Sequence, residues 1–346
     1  MATTYAIPDG RVAMAATTYT GNGSTQAVSN AVNGVSFAPD FVWVKYRNQA
    51  YNHDLFDSIR GVSKYLRSNS TTAELTYSGY GVTAFNSNGF SVTDDSGGSY
   101  EVNGSSGSLV GWQWKAGGTA VSNTAGSITS SVSANTTAGF SVVTYTNTGS
   151  AGTVGHGLGV APQMIIAKSK ASVENWQVYH VVTGNTYNMY LNTTAGQTGP
   201  SATYWNGTSP TSTVFSVGSW ANADAHVAYC FAPVAGYSAF GSYTGNGSTD
   251  GPFVFLGLRP RWFLVKRTDV AATWYIWNTS STPYNVADTA LFPNLANAES
   301  SNVAYYCDIL SNGFKIRATN TDVNASGGTY IYMAFAENPF KYANAR

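Results

Sequence analysis

Residues 18–24 read Thr18-Tyr19-Thr20-Gly21-Asn22-Gly23-Ser24, a β-branched and aromatic run that ends in a glycine-asparagine turn. Similar stretches return at 144–150 and at 242–248, where the sequence is Ser242-Tyr243-Thr244-Gly245-Asn246-Gly247-Ser248. An Asn-Gly pair supplies the positive φ angles that a tight hairpin requires. A strand-and-turn segment that occurs three times predicts a protein built from repeated β-units.

Later positions keep matching spacings in the three copies. A lysine follows a proline by six residues in each copy, and an aromatic residue follows each lysine by eleven: Pro39, Lys45 and Phe56; Pro162, Lys168 and Tyr179; Pro260, Lys266 and Trp277. Equal spacings are difficult to obtain by chance. We therefore predict three homologous units, residues 17–116 (unit one), 138–236 (unit two) and 237–346 (unit three).

The apolar pattern predicts the fold class. The runs between each proline and lysine are continuously apolar over four residues, as in Phe41-Val42-Trp43-Val44. Such short runs, bounded by turn residues, are typical of strands buried in a two-layer sandwich. We predict an all-β protein in which each unit is an antiparallel β-sandwich of the jelly-roll or concanavalin-like type.

The segments outside the units differ in character. Residues 117–137 are rich in Gly, Ser and Thr and predict a linker, whereas residues 232–240 are short and aromatic. We therefore expect units two and three to pack together and unit one to be set apart. Residues 1–16 are predicted to form an N-terminal arm with apolar side chains that can dock on a partner: Tyr5, Ile7, Val12 and Met14.

Composition excludes several function classes. The chain has 346 residues, 17 Lys+Arg and 17 Asp+Glu, so it lacks the basic excess that nucleic-acid binding requires. No apolar run approaches the ~20 residues that span a bilayer, and no signal-peptide core precedes residue 17. We expect cytoplasmic synthesis without membrane insertion. Cys230 and Cys307 lie in aromatic stretches and are predicted to be buried free thiols.

The sequence contains few candidates for chemistry. No metalloprotease, nucleophile-elbow or Walker motif occurs, and the four histidines are scattered, so we predict no catalytic residues and no cofactor. Asp94 and Asp95 are followed by Ser and Gly residues. Three interpretations of this acidic pair are open: a structural turn, a calcium site or a catalytic site. Asp54 and Asp57 lie three residues apart and could be the two carboxylates of a glycosidase.

Two repeated side-chain types could bind ligands. The three lysines end apolar strands, where each could lay its stem on apolar surface and place its ammonium in water. Exposed aromatic rings stack on sugars and also dominate protein interfaces. We take three residues of unit three as ligand or interface candidates: Trp274, Tyr275 and Trp277.

Several stretches carry a resemblance to a known group of proteins. Residues 139–146, 155–162 and 243–251, the stretch Trp112-Gln113-Trp114-Lys115-Ala116-Gly117-Gly118, and residues 57–66 and 324–339 resemble virion structural proteins of marine tailed bacteriophages, cyanophages among them. That group carries tandem lectin-like β-sandwich modules and includes tail-fibre proteins. The resemblance covers nearly the whole chain from about residue 17. It implies a virion location and carries no established catalytic residues.

The sequence and the resemblance together suggest three functions. The first is a non-enzymatic short tail fibre or surface appendage that engages host surface glycans or a receptor. The second is a capsid head-decoration protein that uses the N-terminal arm as a clamp. The third is a polysaccharide-degrading enzyme on a lectin-like fold. Expected partners are other virion proteins and further copies of the chain, with a trimer favoured because homo-oligomers adopt closed rotational symmetry.

Overall fold

A computed structural model describes residues 6–94 and 102–337. In these ranges nearly all regular structure is β-strand, so the predicted all-β class is confirmed. Helix is confined to the short 3-10 turns Gly10–Val12 and Val303–Tyr305 and to the α-helical turn Thr321–Asn324 (α1). Both cysteines are buried free thiols, as predicted.

Unit one forms two antiparallel sheets. Its strands are β1 (Met14–Thr20), β2 (Gln26–Ser29), β3 (Phe41–Tyr46), β4 (His53–Asp57), β5 (Lys64–Arg67), β6 (Leu75–Thr76), β7 (Gly81–Asn86), β8 (Gly89–Thr93) and β9 (Ser108–Trp114). The large sheet has the order β1-β9-β3-β4-β5-β6, and the small sheet has the order β2-β8-β7.

Unit two and the segment before it form a second pair of sheets. The strands are β10 (Val121–Asn123), β11 (Ser130–Asn135), β12 (Phe140–Thr146), β13 (Gly152–Gly155), β14 (Met164–Ser169), β15 (Gln177–His180), β16 (Met189–Tyr190), β17 (Val214–Val217) and β18 (Ala225–Phe231). The large sheet runs β10-β11-β12-β18-β14-β15-β16, and β13 pairs with β17.

Unit three repeats the arrangement. Its strands are β19 (Ser238–Thr244), β20 (Phe253–Phe255), β21 (Pro260–Arg267), β22 (Tyr275–Asn278), β23 (Thr289–Ala290), β24 (Ser300–Ser301), β25 (Cys307–Leu310), β26 (Gly313–Ile316) and β27 (Thr329–Ala336). The sheets have the orders β19-β27-β21-β22, β20-β26-β25 and β23-β24.

One strand order recurs in the three large sheets. The runs β1-β9-β3-β4, β12-β18-β14-β15 and β19-β27-β21-β22 use corresponding strands, and β2-β8, β13-β17 and β20-β26 correspond in the small sheets. Register corresponds as well, because Phe41 pairs with Trp114, Met164 with Phe231 and Trp262 with Phe335. The repeated sequence segments therefore occupy equivalent strands.

The central strands of each large sheet, such as β3, β14 and β21, are buried on both faces. In β3, Val42 and Val44 pack in the core of unit one, whereas Phe41 and Trp43 pack in a central core that all three units share. The four-residue apolar runs therefore reflect a third layer in addition to the two-layer sandwich that we predicted. A strand with solvent on one face would alternate instead.

Three aromatic rings mark the centre of the shared core. Trp114, Phe231 and Phe335 lie at or next to the ends of the corresponding strands β9, β18 and β27. Their ring centroids lie 6.3, 5.7 and 5.8 Å apart in the three pairs. Equivalent residues in a nearly equilateral triangle indicate a pseudo-threefold axis that passes between them. The three units therefore surround the axis within one chain, and the expectation that unit one is set apart was wrong.

Two segments outside the units also differ from their predicted roles. The predicted linker instead contains β10 and β11, and its Ile128 and Val132 pack in the core of unit two. In the predicted arm, Ile7 and Met14 lie in the central core, and Met14 begins β1. These side chains are not available to a partner. Tyr5 lies outside the described residues.

Candidate functional site

The repeated residues meet at the junctions between units. Backbone N–H groups of Glu74, Gln197 and Glu299 donate to carbonyls of the next unit at 2.8, 2.8 and 2.7 Å; the acceptors are Lys170, Thr268 and Arg47, respectively. Each acceptor lies two residues after a repeated lysine. The bonds join unit one to two, two to three and three to one, so the ring of units is closed by equivalent contacts.

A buried ring nitrogen reaches across at least two of these junctions. The indole Nε1 of Trp176 donates to the Arg67 carbonyl at 2.8 Å, and that of Trp274 donates to the Tyr190 carbonyl at 3.0 Å. His53 occupies the corresponding position of unit one, eight residues after the repeated lysine. Its Nδ1 accepts from Trp43 Nε1 at 2.9 Å, and burial holds its pKa well below the usual value.

The three repeated lysines are fully buried, which corrects the expectation that their ammonium groups are solvated. Lys45 Nζ donates to the carbonyl of Ala296 at 3.1 Å, and Lys266 Nζ donates to that of Thr194 at 3.0 Å, both in a neighbouring unit. Lys168 Nζ instead donates to Ser169 and Ser172 carbonyls of its own unit. The ammonium groups serve as donors for buried loop carbonyls, which would otherwise be costly to desolvate.

Burial lowers the pKa of both Lys168 and Lys266 to about 8. Between pH 8 and about 10 the unfolded chain holds protons on these lysines that the folded chain lacks, so the contribution of the lysines to the free energy of unfolding rises with pH. We expect about 1 kcal/mol per pH unit for each lysine. Urea unfolding at a series of pH values measures this slope.

The control is the double variant Lys168→Met and Lys266→Met. Its free energy of unfolding should lack the rise with pH that the two lysines contribute. From about pH 9 upward other groups oppose this rise in both proteins, because burial raises the pKa of Cys230, Cys307 and tyrosines such as Tyr243, which then ionise only in the unfolded chain. Equal slopes in the wild type and the double variant from pH 8 to 9.5 contradict the prediction.

His180 links units two and three. Its Nδ1 accepts from the Val182 N–H at 3.2 Å, so Nε2 carries the proton and donates to the Tyr332 carbonyl at 3.2 Å. Burial lowers the pKa of His180 to about 4. The neutral imidazole is thus the form that the folded chain holds.

We expect acid to destabilise the protein through His180. Between pH 6.5 and 4 the unfolded chain binds a proton that the folded chain does not, so the free energy of unfolding falls as pH falls. The total loss is on the order of 3 kcal/mol. Thermal unfolding of the His180→Gln variant from pH 7 to 4 should show a correspondingly smaller loss; equal losses in the variant and the wild type would assign the acid sensitivity to other groups.

The repeated turn is held by an asparagine latch. Asn22 and Asn246 donate their backbone N–H to the side-chain oxygens of Asn103 and Asn324 at 3.3 and 2.8 Å. In unit two the latch is reversed, because Asn147 Nδ2 donates to the Ala221 carbonyl at 2.8 Å. The motif that revealed the repeat is therefore a structural clamp.

The aromatic residues proposed as ligand candidates are buried. Trp274, Tyr275 and Trp277 are at most 3 % exposed, so none can stack on a sugar. Trp274 lies in the central core, whereas Tyr275 and Trp277 lie in the core of unit three. The candidates were chosen on the assumption that one face of the strand reaches solvent. In the structure, one face packs in the core of the sandwich and the other packs in the central core.

The acidic candidates are engaged or lie outside the described residues. Asp57 forms a buried ion pair with Arg60 and accepts from the Tyr229 hydroxyl at 2.8 Å, and Asp54 pairs with Arg67. Asp94 is buried, and Asp95 lies outside the described residues. Within residues 6–94 and 102–337 no group of three His, Cys, Asp or Glu side chains could hold a metal ion.

One group of titratable side chains in unit two surrounds His226. His226 Nδ1 is 3.1 Å from Asp224 Oδ1, and its Nε2 is 3.9 Å from Glu174 Oε2. Burial lowers the pKa of His226 and raises that of Glu174. The hydroxyls of Ser169 and Ser172 donate to Asp224, so neither serine is arranged as a nucleophile with His226 as its base.

A groove of about 540 Å³ lies between unit one and the strands before unit two. It is lined mainly by small and polar residues, with Ile59 and Phe85 as its larger apolar walls. Asp40, the acid in its lining, accepts from the Ser58 hydroxyl and the Ala116 N–H at 2.8 Å each. The groove therefore offers surface for binding, with its carboxylate already used by the fold.

The exposed rings are ones that sequence analysis missed. Phe253, Phe255 and Tyr284 are 46 %, 65 % and 82 % exposed, and all three lie in unit three. A signal was present for two of them, because alternation along Phe253-Val254-Phe255 places both rings on the face opposite Val254. Tyr284 lies in a loop with no such pattern.

A family model for a domain of unknown function, DUF7483, matches residues 12–339. The chain belongs to the DUF7483 family. The match spans every strand from β1 to β27, so the DUF7483 domain comprises the whole three-unit body. No curated protein and no solved structure matches the chain. Among the described residues of this DUF7483 domain, no helix has the length and apolar character needed to cross a membrane.

Proposed function

We propose that the chain is a non-enzymatic structural protein of a tailed-bacteriophage particle, most simply a short tail fibre or other appendage at the particle surface. The sequence resemblance suggests the particle. The single structural observation that supports the role is the closed ring of three sandwiches around one aromatic core. We expect such a body to resist unfolding and proteolysis, because opening one unit exposes the core that it shares with the other two.

The charge and contact chemistry suit this role. The chain carries 17 basic and 17 acidic residues, and several of them are used internally, such as Arg60 with Asp57 and Arg47 with Glu299 across a junction. The threefold arrangement that we expected from a homotrimer is already present within one chain. A trimer of whole chains stays a prediction.

Host contact is proposed for Tyr284. Its ring is 82 % exposed, while the next residue is clamped: Asn285 Nδ2 donates to the Ile309 carbonyl at 3.0 Å, and Asn285 Oδ1 accepts from the Ile309 N–H at 2.8 Å. An exposed ring on a fixed backbone is suited to stacking on a sugar face at small entropic cost. We therefore propose a host surface glycan as its ligand.

Labelled particles test the particle role. Purified particles of the phage that encodes the chain, imaged with gold-labelled antibody, should carry label at the tail or another external site. Label at the capsid symmetry points would support head decoration instead. That alternative assumed an N-terminal clamp, which Ile7 and Met14 do not provide because they are buried. Absence of the chain from washed particles overturns the proposal.

Competition for adsorption tests receptor engagement. Purified wild-type chain should compete with particles for host adsorption, and the Tyr284→Ala variant should compete less while retaining its fold.

A cleavage assay tests the enzyme alternative. Purified chain incubated with host polysaccharide should release no fragments. Chain cleavage that is lost in Asp54→Asn or Asp94→Asn would support an enzyme and contradict a purely structural role.

A further inference from the structure

Asparagine-glycine pairs are sites where a protein chain can modify itself without an enzyme. The glycine nitrogen, which no Cβ hinders, can attack the asparagine carboxamide carbon. A C–N bond forms, the amide nitrogen leaves as ammonia with the glycine proton, and water opens the resulting succinimide to aspartate or isoaspartate. The reaction needs an unengaged glycine N–H and a carboxamide that can turn toward it. The sequence has seven such pairs, and their asparagines are Asn22, Asn33, Asn88, Asn103, Asn206, Asn246 and Asn312.

The asparagine latch immobilises the pair in the repeated turn of unit three. The Gly247 N–H donates to the Asn324 carbonyl at 2.9 Å, so the attacking nitrogen is engaged. The Asn246 carboxamide is held at both ends, because its Nδ2 donates to the Asp250 carbonyl at 2.8 Å and its Oδ1 accepts from the Ser248 N–H at 3.0 Å. Neither condition for ring closure is met.

The latch of unit one engages the corresponding groups. The Gly23 N–H donates to the Asn103 carbonyl at 2.9 Å. The side-chain oxygen of Asn22 accepts from the Ser24 N–H at 2.9 Å and from Asn103 Nδ2 at 3.0 Å. Asn103 also belongs to an Asn-Gly pair, and its side chain is fully buried in the same latch. Both pairs of this latch are therefore protected.

Two further pairs are protected by a sheet. Gly89 and Gly313 are buried and begin the strands β8 and β26, where they pair with Asn86 and Leu310. A Cβ on Gly313 would lie 2.0 Å from the Val254 carbonyl oxygen, which shows how closely the neighbouring strand approaches. Rotating these peptide groups toward a side chain would disrupt the ladder.

Asn33 and Gly34 form the exposed tip of a turn outside the strands. Val32 and Val35 close the turn, with N–H to carbonyl distances of 2.9 and 3.1 Å. In the described part of the chain no hydrogen bond engages the Asn33 carboxamide or the Gly34 N–H. A Cβ on Gly34 would meet no atom within 4 Å, so this peptide group has room to rotate.

Asn206 and Gly207 form a second exposed turn. The Thr208 N–H donates to the Trp205 carbonyl at 3.0 Å, and the Thr208 hydroxyl donates to the Asn206 carbonyl at 3.0 Å. Among residues 6–94 and 102–337, none forms a hydrogen bond with the Asn206 carboxamide or with the Gly207 N–H. Both groups that ring closure uses are therefore available.

We propose that Asn33 and Asn206 are the sites at which the folded chain deamidates, and that the fold protects the other five pairs. Ring closure at these two turns breaks only hydrogen bonds at the surface, whereas at Asn246 it requires opening a latch whose Asn324 is buried. Each event replaces a neutral amide by a carboxylate and so adds one negative charge to a chain that has 17 basic and 17 acidic residues. This inference does not depend on the virion role.

Peptide mapping by mass spectrometry tests the proposal on the full chain after incubation at mildly alkaline pH. The mass change that replaces NH by O should accumulate at least about tenfold faster at Asn33 and Asn206 than at Asn22 and Asn246. The control is the same chain in urea, where all seven pairs should react at rates within a few-fold of one another. Equal rates in the folded chain, or the same difference in urea, overturn the proposal.

Variants test the two parts of the proposal separately. The double variant Asn33→Gln and Asn206→Gln should accumulate no acidic forms on isoelectric focusing while the wild type does, because glutamine closes the corresponding ring much more slowly. Acidic forms that persist in the double variant contradict the proposed sites. The Asn324→Ala variant, with its fold verified by circular dichroism, should deamidate faster at Asn246 and equally fast at Asn33. An unchanged rate at Asn246 contradicts protection by the latch.

Discussion

Replacing Phe335 by alanine is expected to lower the free energy of unfolding by about 3–5 kcal/mol, the cost of a large cavity in a core that cannot collapse. The ring is 1 % exposed and lies 5.7 Å from Trp114 and 5.8 Å from Phe231, which belong to the other two units. Its loss therefore removes contacts from all three units. Urea denaturation followed by tryptophan fluorescence measures the change.

The matched control is Tyr284→Ala, which removes an aromatic ring that is 82 % exposed and should change stability by less than about 0.5 kcal/mol. The location of the effect is as important as its size. Hydrogen exchange in Phe335→Ala should accelerate in β9 and β18 as well as in β27. Acceleration restricted to unit three would show that the units are stabilised independently.

Removing the Arg60 guanidinium is the second change with a large expected effect. Arg60 and Asp57 are fully buried, and Arg60 also donates to the Leu55 carbonyl and to the Tyr229 hydroxyl of unit two, at 2.8 and 3.2 Å. Burial alone would lower the pKa of Arg60, but Asp57 and Tyr229 together with Glu74 raise it above its usual value. The Arg60→Met variant leaves Asp57 as an uncompensated buried charge.

We expect Arg60→Met to cost about 3–5 kcal/mol at pH 7, because stranding one partner of a buried pair is far more costly than removing both. The double variant Asp57→Asn and Arg60→Met should recover part of this loss, since the amide can still accept from the backbone N–H groups of Ile59 and Arg60. Denaturation midpoints of Asp57→Asn, Arg60→Met and the double variant, compared with the wild type, form a double-mutant cycle. A double variant less stable than Arg60→Met would falsify the assignment of the cost to the unpaired carboxylate.

The sequence predicted the strands because strands and hairpins depend mainly on residues that are close together in the chain. The Asn-Gly turns and the repeated spacings of Pro39, Lys45 and Phe56 correspond to hairpins and strands that recur in each unit. The latch explains the asparagines that precede the last strands of units one and three, Asn103 and Asn324. Turn chemistry and periodicity suffice for such features.

What the sequence could not reveal is which surfaces meet. A run such as Phe41-Val42-Trp43-Val44 predicts burial on both faces but does not say that the second face meets two other units. The lysines show the same limit. A strand-end lysine is compatible with a solvated ammonium, and only the neighbouring unit's carbonyl, such as that of Thr194 for Lys266, makes burial possible.

The candidate sites failed for a related reason. Trp274 and Trp277 lie on opposite sides of one sheet, and both sides are buried because the sheet separates two cores. The rings that reach solvent, Phe255 and Tyr284, lie in an edge strand and a loop. Ring exposure therefore depends on position in the assembled body more than on local alternation.

Scanning calorimetry of the intact chain tests most directly whether three sandwiches share one core. The chain should unfold in a single transition with a calorimetric enthalpy close to the van't Hoff enthalpy, a ratio of about one. Separate transitions, or a ratio near three, would mean that the units unfold independently and would contradict the shared core.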